Sequence, residues 1–522
     1  MTNVPNFDRI SDYVSHWAEL DPGRDAILSP TVRLTYSELN EAVDRLATAL
    51  LGAGVERGDR VATYGPTSPA TYATFLATAS IGAIWVGMMP RYTPAELKRT
   101  VRHSEPKLIF STVAPDDLAA REKLSALQAS TLLPVVEGDG SIEGLGSALD
   151  QMTGHESSVD VATLGRARAA VQRRDPAAMV YTSGTTGEPK GALVPHAGLV
   201  VCAIVQGGHW YEQPPRVLCD LPLNHVGGLS DISTSVLPKG GAVYFMERFD
   251  ADEAIWTVER ERLTHLLWVP TQLLAAVQSP EWNASDLSSL QWIIWGGAAA
   301  PLSLLEELKR KGPKLGTSYG QTESTGSMTY TNPDDPLGVL SWSVGTVDPH
   351  FEVRLADGEG DRQGEVQVRG EFVTPGYFKN QEASEAAIDE EGWLRTGDIA
   401  EVRDGGHFRL VGRSKEMYKS GGYNVYPREV ELALEQHPAV AIAAVVAVPD
   451  ERWTEVGHAF VTVEETVVPD ELERFARTLL ANYKIPKSIF VVDELPKLPI
   501  GKIDKGELRR LASAKGKDGI GV

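Results

Sequence analysis

The sequence predicts an α/β protein. A large N-terminal domain of mainly parallel sheets flanked by helices, with a small β-subdomain, precedes a small α+β C-terminal domain. Three observations carry this. The chain has 522 residues, too many for one ordinary domain. Over its first 300 residues strand-like and helix-like patterns alternate, which demands crossover connections and therefore parallel strands. From about Gly338 the apolar spacing becomes two, with Gly and Asp between the runs, as in antiparallel strands.

The elements follow in order. Thr35-Tyr36-Ser37-Glu38 is a capping box, and Leu39, Ala42, Val43, Leu46, Ala47 and Leu50 then recur at helical spacing until Gly52. Arg60 to Tyr64 reads as a strand closed by Gly65-Pro66, and a small-residue helix runs from about Ala70 to Gly82. Strand 242–246, helix 252–262 and strand 266–269 repeat the alternation. Strands 351–355 and 365–369 form the β-subdomain. A boundary falls near Gly412-Arg413-Ser414-Lys415. Beyond it we read helix 428–436, strands 440–448 and 456–464, helix 470–482, strand 488–493 and a helix from about Lys505, a unit of ordinary domain size.

Composition narrows the function. Hydrophobic residues at 42% and charged residues at 23% fit a globular protein. The net charge of −21 argues against a nucleic-acid partner, because phosphates are repelled over most approaches. Two cysteines, Cys202 and Cys219, are too few for a disulfide framework and suggest a reducing compartment. The N-terminus carries no signal-peptide pattern, and the longest apolar run, Val440 to Val448, is too short for a membrane span. We expect a cytoplasmic protein, with a homodimer possible.

One segment carries chemistry by composition alone. Tyr181-Thr182-Ser183-Gly184-Thr185-Thr186-Gly187-Glu188-Pro189-Lys190-Gly191 follows a strand-like run. Its glycines let backbone N–H groups turn toward an anion, its hydroxyls add donors, and Lys190 adds charge. The spacing is not that of a Walker A loop.

This string resembles, almost letter for letter, the phosphate-binding signature of the adenylate-forming superfamily of acyl-CoA synthetases, nonribosomal-peptide adenylation domains and firefly-type luciferases. Further blocks follow in that family's order. Pro222-Leu223-Asn224-His225-Val226-Gly227-Gly228-Leu229 resembles the block that gates the acyl pocket. Trp295-Gly296-Gly297-Ala298-Ala299 resembles the turn beside the adenine. Gly316-Thr317-Ser318-Tyr319-Gly320-Gln321-Thr322-Glu323 resembles the block with an adenine-stacking aromatic, a phosphate-binding Thr and a Mg²⁺-binding Glu. Thr396-Gly397-Asp398 resembles the ribose-binding turn, Gly412-Arg413 through Gly421-Gly422 the interdomain hinge, and Pro499-Ile500-Gly501-Lys502 the loop with the catalytic lysine. The resemblance covers nearly the whole chain.

Each residue type suits its implied task. Tyr319 offers a flat face to a purine. Glu323 is a hard oxygen ligand for a Mg²⁺ held mainly by phosphate. Asp398 can accept both ribose hydroxyls. Lys502, on a Pro- and Gly-containing loop, can swing a cation into a cleft. Two positions depart from the pattern: Lys415 stands where many members have Asp, and His225 where others carry larger aromatics, which leaves the acyl size open.

The resemblance implies domains at 1–412 and 413–522, the second mobile about Lys415. It implies ATP, Mg²⁺ and coenzyme A as cofactors and a small-molecule carboxylic acid as substrate. Lys502 and His225 would be catalytic. ATP and AMP would be held by Thr182, Ser183, Gly184, Thr185, Thr186, Gly187, Lys190, Gly297, Ala298, Ala299, Ser318, Tyr319, Gly320, Gln321, Thr322, Asp398 and Arg413. The metal would sit at Glu323 and Thr182. An acyl pocket of His225, Val226, Gly228, Trp295, Gly297 and Met328 suggests an apolar acid, aromatic or medium-chain. Lys419, Ser420, Gly421 and Gly422 would meet coenzyme A. The implied activity is adenylation of a carboxylate followed by acyl transfer to the thiol. The alternatives are transfer to an amine or carrier protein, a luciferase-like oxidation, and a catalytically silent adenylate-binding protein. Asp231, the closest candidate to meet an amino group, reads rather as a helix or turn cap.

Overall fold

The computed structural model describes residues 4–131, 133–137, 141–153, 160–182, 189–356, 362–420, 423–450, 452–497 and 503–515. Its N-terminal part stacks two sheets. The first has six strands in the order 135–137, 108–111, 60–64, 84–88, 176–182 and 190–195. The first five run parallel, and the last is an antiparallel hairpin partner. The second has nine strands in the order 346–347, 326–330, 314–321, 292–295, 265–268, 216–219, 242–245, 25–28 and 33–35. Its centre is parallel, and antiparallel pairs close both ends. The mixed α/β architecture is the one expected.

The layering follows from strand alternation, since successive side chains face opposite sides of a sheet. Val61, Trp85 and Phe110 join one core cluster, while Ala62, Val86 and Ile109 join another. Likewise Trp292 and Ile294 enter the first cluster, and Ile293 and Trp295 a third. The first cluster therefore lies between the two sheets, filled by helices Tyr36–Gly52 and Pro69–Ser80. The second of these is buried along its whole length from Ala70, which explains its run of Ala and Thr. Ser68 caps it by accepting from Thr71 N, and Pro69 opens it. The capping box at Thr35 and Glu38 forms as read, an arrangement worth about 1 kcal/mol.

A four-stranded antiparallel sheet follows, in the order 352–356, 363–369, 394–402 and 408–413. The last sheet starts at Tyr418 and joins strands 418–420, 423–425, 440–450, 454–463 and 488–491. Helices Pro427–Leu434, Pro469–Leu479 and Lys505–Lys515 accompany it. The helix read as 470–482 stops at Leu479 because Leu480 turns extended, and a short 3₁₀ turn, Asn482–Lys484, takes over. Among the described residues no helix is long and apolar enough to cross a membrane.

Candidate functional site

The hairpin of strands 176–182 and 190–195 carries the glycine- and hydroxyl-rich segment at its turn. Ser183, Gly184, Thr185, Thr186 and Gly187 lie outside the described residues, as do Gly421, Gly422 and Lys502. The base of the hairpin is described. Thr182 and Lys190 face each other in register. The Lys190 ammonium lies 5.1 Å from the centre of the Tyr377 ring. The Tyr377 hydroxyl donates to Glu323 Oε1 at 2.8 Å. Backbone bonds hold this contact: Phe378 N donates to Gly191 O, Leu193 N to Gly376 O, and Thr374 N to Glu323 O. Lys190 and Glu323 thus meet at Tyr377, which sequence reasoning missed, with Thr182 across the hairpin from Lys190. Burial, and then the Glu323 carboxylate, push the Tyr377 hydroxyl well above its ordinary pKa, so it donates at any working pH.

Glu323 lies in the turn Thr322–Ser324, directly after strand Lys314–Gln321. At the other end of this motif the Tyr319 hydroxyl donates to Asp398 Oδ2 at 2.8 Å. Arg413 Nε donates to Asp398 Oδ1 at 2.8 Å, from a residue paired with Asp398 in the sheet. Asp398 is 5% exposed, and its position is set by Thr396 Oγ1, which accepts from Asp398 N while donating to Val366 O. Gly397 has φ +74°, a left-handed conformation that favours glycine, and its N–H donates to Glu365. Asp398 raises the Arg413 guanidinium further, so the ion pair persists. Each carboxylate oxygen has two lone pairs, which leaves Asp398 able to accept further hydroxyls.

Gly320 packs against the Gly326 carbonyl so closely that no side chain fits. Ser318 Oγ and Ser327 Oγ are 2.9 Å apart. Gly297, Ala298 and Ala299 turn away from the end of strand 292–295, Gly297 with φ +82°. Thr317 Oγ1 ties that strand end to the neighbouring one by donating to Trp295 O at 2.8 Å.

The His225 block is a tight turn running into a π-helix, Gly227–Thr234, a form enriched at functional sites. His225 N donates to Pro222 O, and Leu229 N to His225 O. A Cβ at Gly228 would lie 2.5 Å from Pro222 O and 2.7 Å from Leu221 O, so only glycine fits there. Val226 packs against the cluster that contains Met328 and Tyr319. Two readings are corrected. Trp295 points to the opposite face of its strand, into the cluster of Trp268, Leu304 and Leu340, away from Val226 and Met328. It therefore does not line the same pocket. Asp231 caps no turn; its Oδ1 accepts from Ser327 N and Oγ across to strand 326–330, and burial pushes its carboxyl up to about 7.

In the C-terminal part Lys415 is exposed in a turn where Glu416 N and Met417 N both donate to Arg413 O. Ser414 N donates to Gly397 O, joining this turn to the Asp398 turn. Glu416 Oε2 and Glu431 Oε1 each lie 2.9 Å from Lys505 Nζ. Glu431 is buried, accepts from Val445 N, and also meets Arg428. Lys419 N donates to Glu455, and Ser420 is buried. Among the described residues no three His, Cys, Asp or Glu side chains converge as a metal cage. Glu323 and Thr182 supply hard oxygen only, which fits a Mg²⁺ bound chiefly by phosphates.

Comparison with known proteins agrees with this geometry. Residues 14–378 match the model of the AMP-binding enzyme family, and residues 429–502 that of the AMP-binding enzyme C-terminal domain. The chain is 35% identical over 516 residues to an indoleacetate–CoA ligase of Aromatoleum aromaticum, covering 97% of this chain and 98% of the relative. It is 36% identical over 501 residues to a feruloyl-CoA synthase of an Amycolatopsis species, covering 94% and 97%. Among solved structures, the amide bond synthetase McbA of Marinactinospora thermotolerans superposes with a TM-score of 0.83 at 29% identity, covering 96% of this chain and 99% of that one. A buried Asp398 shared by Tyr319 and Arg413, a Glu323 held at the mouth of the Thr182–Lys190 hairpin, and likeness over nearly the whole length lead to one assignment: the chain belongs to the AMP-binding, adenylate-forming enzyme family.

Proposed function

We propose that the chain is an AMP-forming acid–thiol ligase that activates an apolar, ring-bearing carboxylic acid with ATP and transfers the acyl group to coenzyme A. One observation carries this: a single strand and turn, 314–324, present Tyr319 to Asp398 at one end and Glu323 to the phosphate hairpin at the other. That spacing suits a nucleotide lying along the strand, ribose at Asp398 and phosphates at Thr182 and Lys190. The named relatives, which act on indoleacetate and ferulate, support a ring-bearing acid.

In the first step a carboxylate oxygen attacks the α-phosphorus, the bond to the β-bridging oxygen breaks, and pyrophosphate leaves with the electron pair. Asp398 and Arg413 orient the ribose, Tyr319 packs against the purine, and Thr182, Lys190 and the segment 183–187 take the phosphates. Positioning and charge neutralisation do most of this work. Mg²⁺ held by Glu323 and Thr182 would supply further neutralisation of the triphosphate. Lys502 bridges the carboxylate and α-phosphate oxygens. In the second step the sulfur adds to the acyl carbonyl, the thiol proton goes to solvent, and AMP leaves. Residues 413–522 act as a mobile domain turning about Lys415, delivering Lys502 in one pose and the 419–422 segment to the thiol in the other. His225, Val226, Gly228, Gly297 and Met328 line the acyl side. Cys202 and Cys219 are buried free thiols, which supports a reducing, cytoplasmic setting.

The test is AMP release with a panel of indolic, phenylpropenoic, medium-chain and short acids, with and without coenzyme A. Fast, coenzyme-dependent turnover of ring-bearing acids is expected. Preference for short acids would overturn the substrate class. The likeness to an amide bond synthetase favours one second reading, transfer to an amine. Product formed with amines and not with coenzyme A would establish it.

A further inference from the structure

A cavity of about 250 Å³ opens beside the base of the phosphate hairpin, lined by Arg99, His103, Tyr181, Lys190, Lys379 and Asn380. Arg99, Lys190 and Lys379 all line it, on a chain whose net charge is −21. We infer that this cavity is a separate anion site that receives pyrophosphate as it leaves the nucleotide site; the inference rests on the adenylation reading above.

Connectivity supports it first. Tyr181 immediately precedes Thr182, and Lys190 is the partner of Thr182 across the hairpin. One wall of the cavity is therefore the strand pair that carries the phosphate segment. Lys190 belongs to both places, with its ammonium at the Tyr377 ring and its chain in the cavity wall. An anion released at the hairpin has this cation to follow.

The second support is how the wall is built. His103 Nδ1 is 2.8 Å from the Tyr181 hydroxyl, and the Phe378 carbonyl also bonds the ring. Burial, and then the Lys379 charge, lower the His103 pKa, so the ring is a neutral scaffold near pH 7. The positive charge of the site comes from Arg99 and Lys379, with Lys190 in the wall it shares with the hairpin. Lys379 is held at φ +51°, left-handed for a residue with a side chain, at a cost of about 1 kcal/mol. Phe378 N bonded to Gly191 O on one side and Asn380 capping helix Gln381–Ala387 on the other hold it there. The Glu105 carboxylate sits 2.6 Å from the Lys379 ammonium on the exposed rim, a partner that an incoming anion would displace.

Pyrophosphate carries several negative charges and is made once per turnover. Drawing it to a second cluster of cations separates it from the acyl-adenylate and opposes reversal. The shared chemistry, a phosphate anion, also fits the phosphates of coenzyme A, and the test separates the two.

The test compares wild type with Arg99→Gln, Lys379→Gly and the double variant; glycine at 379 keeps the left-handed backbone. Inorganic pyrophosphate binding to the substrate-free protein is measured by calorimetry, with KM for ATP and for coenzyme A alongside. The double variant should bind pyrophosphate at least tenfold more weakly, with both KM values within twofold and melting temperature unchanged. Unchanged pyrophosphate affinity would overturn the proposal. So would a rise in KM for ATP by the same factor, which would make these residues part of the nucleotide site. A rise in KM for coenzyme A alone would assign the cavity to that cofactor. Absence of acid-dependent ATP–pyrophosphate exchange in the wild type would instead overturn the adenylation reading, independently of the calorimetry.

Discussion

The Tyr319 hydroxyl and the Arg413 guanidinium divide Asp398 between them, one oxygen each, at 2.8 Å. The carboxylate is thus fixed by the protein's own side chains. Tyr319→Phe keeps the ring and removes only the hydroxyl. It should raise KM for ATP about three- to tenfold, the equivalent of roughly 1 kcal/mol, and leave KM for the acid unchanged. Steady-state kinetics at saturating acid checks it, and an unchanged KM for ATP would remove Asp398 from nucleotide binding.

Glu323 is oriented by Tyr377. Glu323→Gln should raise the Mg²⁺ requirement and slow ATP turnover with the fold intact, because the amide keeps the shape and loses the charge. Tyr377→Phe should do the same more weakly. A Mg²⁺ titration beside a melting curve separates this from misfolding; a wild-type titration in Glu323→Gln would exclude the metal role.

Lys502→Ala should cost on the order of 10²–10³ in adenylation, as loss of one charge-stabilising donor does. Preformed acyl-adenylate should still be converted to thioester. The two half-reactions are assayed separately, and equal loss in both contradicts the assignment.

Lys415→Pro should spare adenylation and cripple thioester formation, because proline fixes φ near −65° and restricts Ser414 before it. Lys415→Ala, which keeps the freedom to turn, should retain both. Equal damage to both half-reactions in the proline variant would leave the hinge at this residue without support.

Asp220 accepts from Trp268 Nε1 and from Gln272 in a buried site, and burial pushes its carboxyl up to about 7. Between pH ~4 and 7 the folded state keeps a proton that the unfolded chain has released. Its contribution to stability is complete at the acid end of that window and is lost as pH rises to 7. Asp220→Asn does not titrate, so its stability relative to wild type should improve from pH 5 to pH 8, by at most roughly 3 kcal/mol. Asp231, up to about 7, and His196 and His265, down to about 4, remain in both proteins and cancel in the comparison. Denaturation at the two pH values measures it, and a constant difference would mean Asp220 is ionised throughout.

The elements legible in the sequence are those whose signal is local. The capping box at Thr35, the strand at Arg60–Tyr64 and the C-terminal helix from Lys505 all sit where spacing and turn residues placed them. Orientation was less legible. Alternation along Trp292–Trp295 divides the side chains between two faces but does not say which face meets a ligand, and so Trp295 was misassigned. Tyr377 follows Pro375-Gly376 and carries no local mark of its bond to Glu323, 54 positions away. Asp231 reads as a cap because that is the local use of an Asp, whereas its partner Ser327 is 96 residues distant. Lys505 looks like one more surface lysine until Glu416 and Glu431 close on it.

The closed space around Gly228 has a consequence for how this scaffold diversifies. Backbone carbonyls at Leu221 and Pro222 stand where its Cβ would be, and a main-chain wall cannot step aside as a flexible side chain can. Any mutant library that randomises this position should return almost only glycine among folded clones. At Gly227, by contrast, a Cβ would meet only the Leu221 side chain at an ordinary 3.4 Å. Variation in this turn is therefore admitted at 227 and shut out at 228, a single step along the chain.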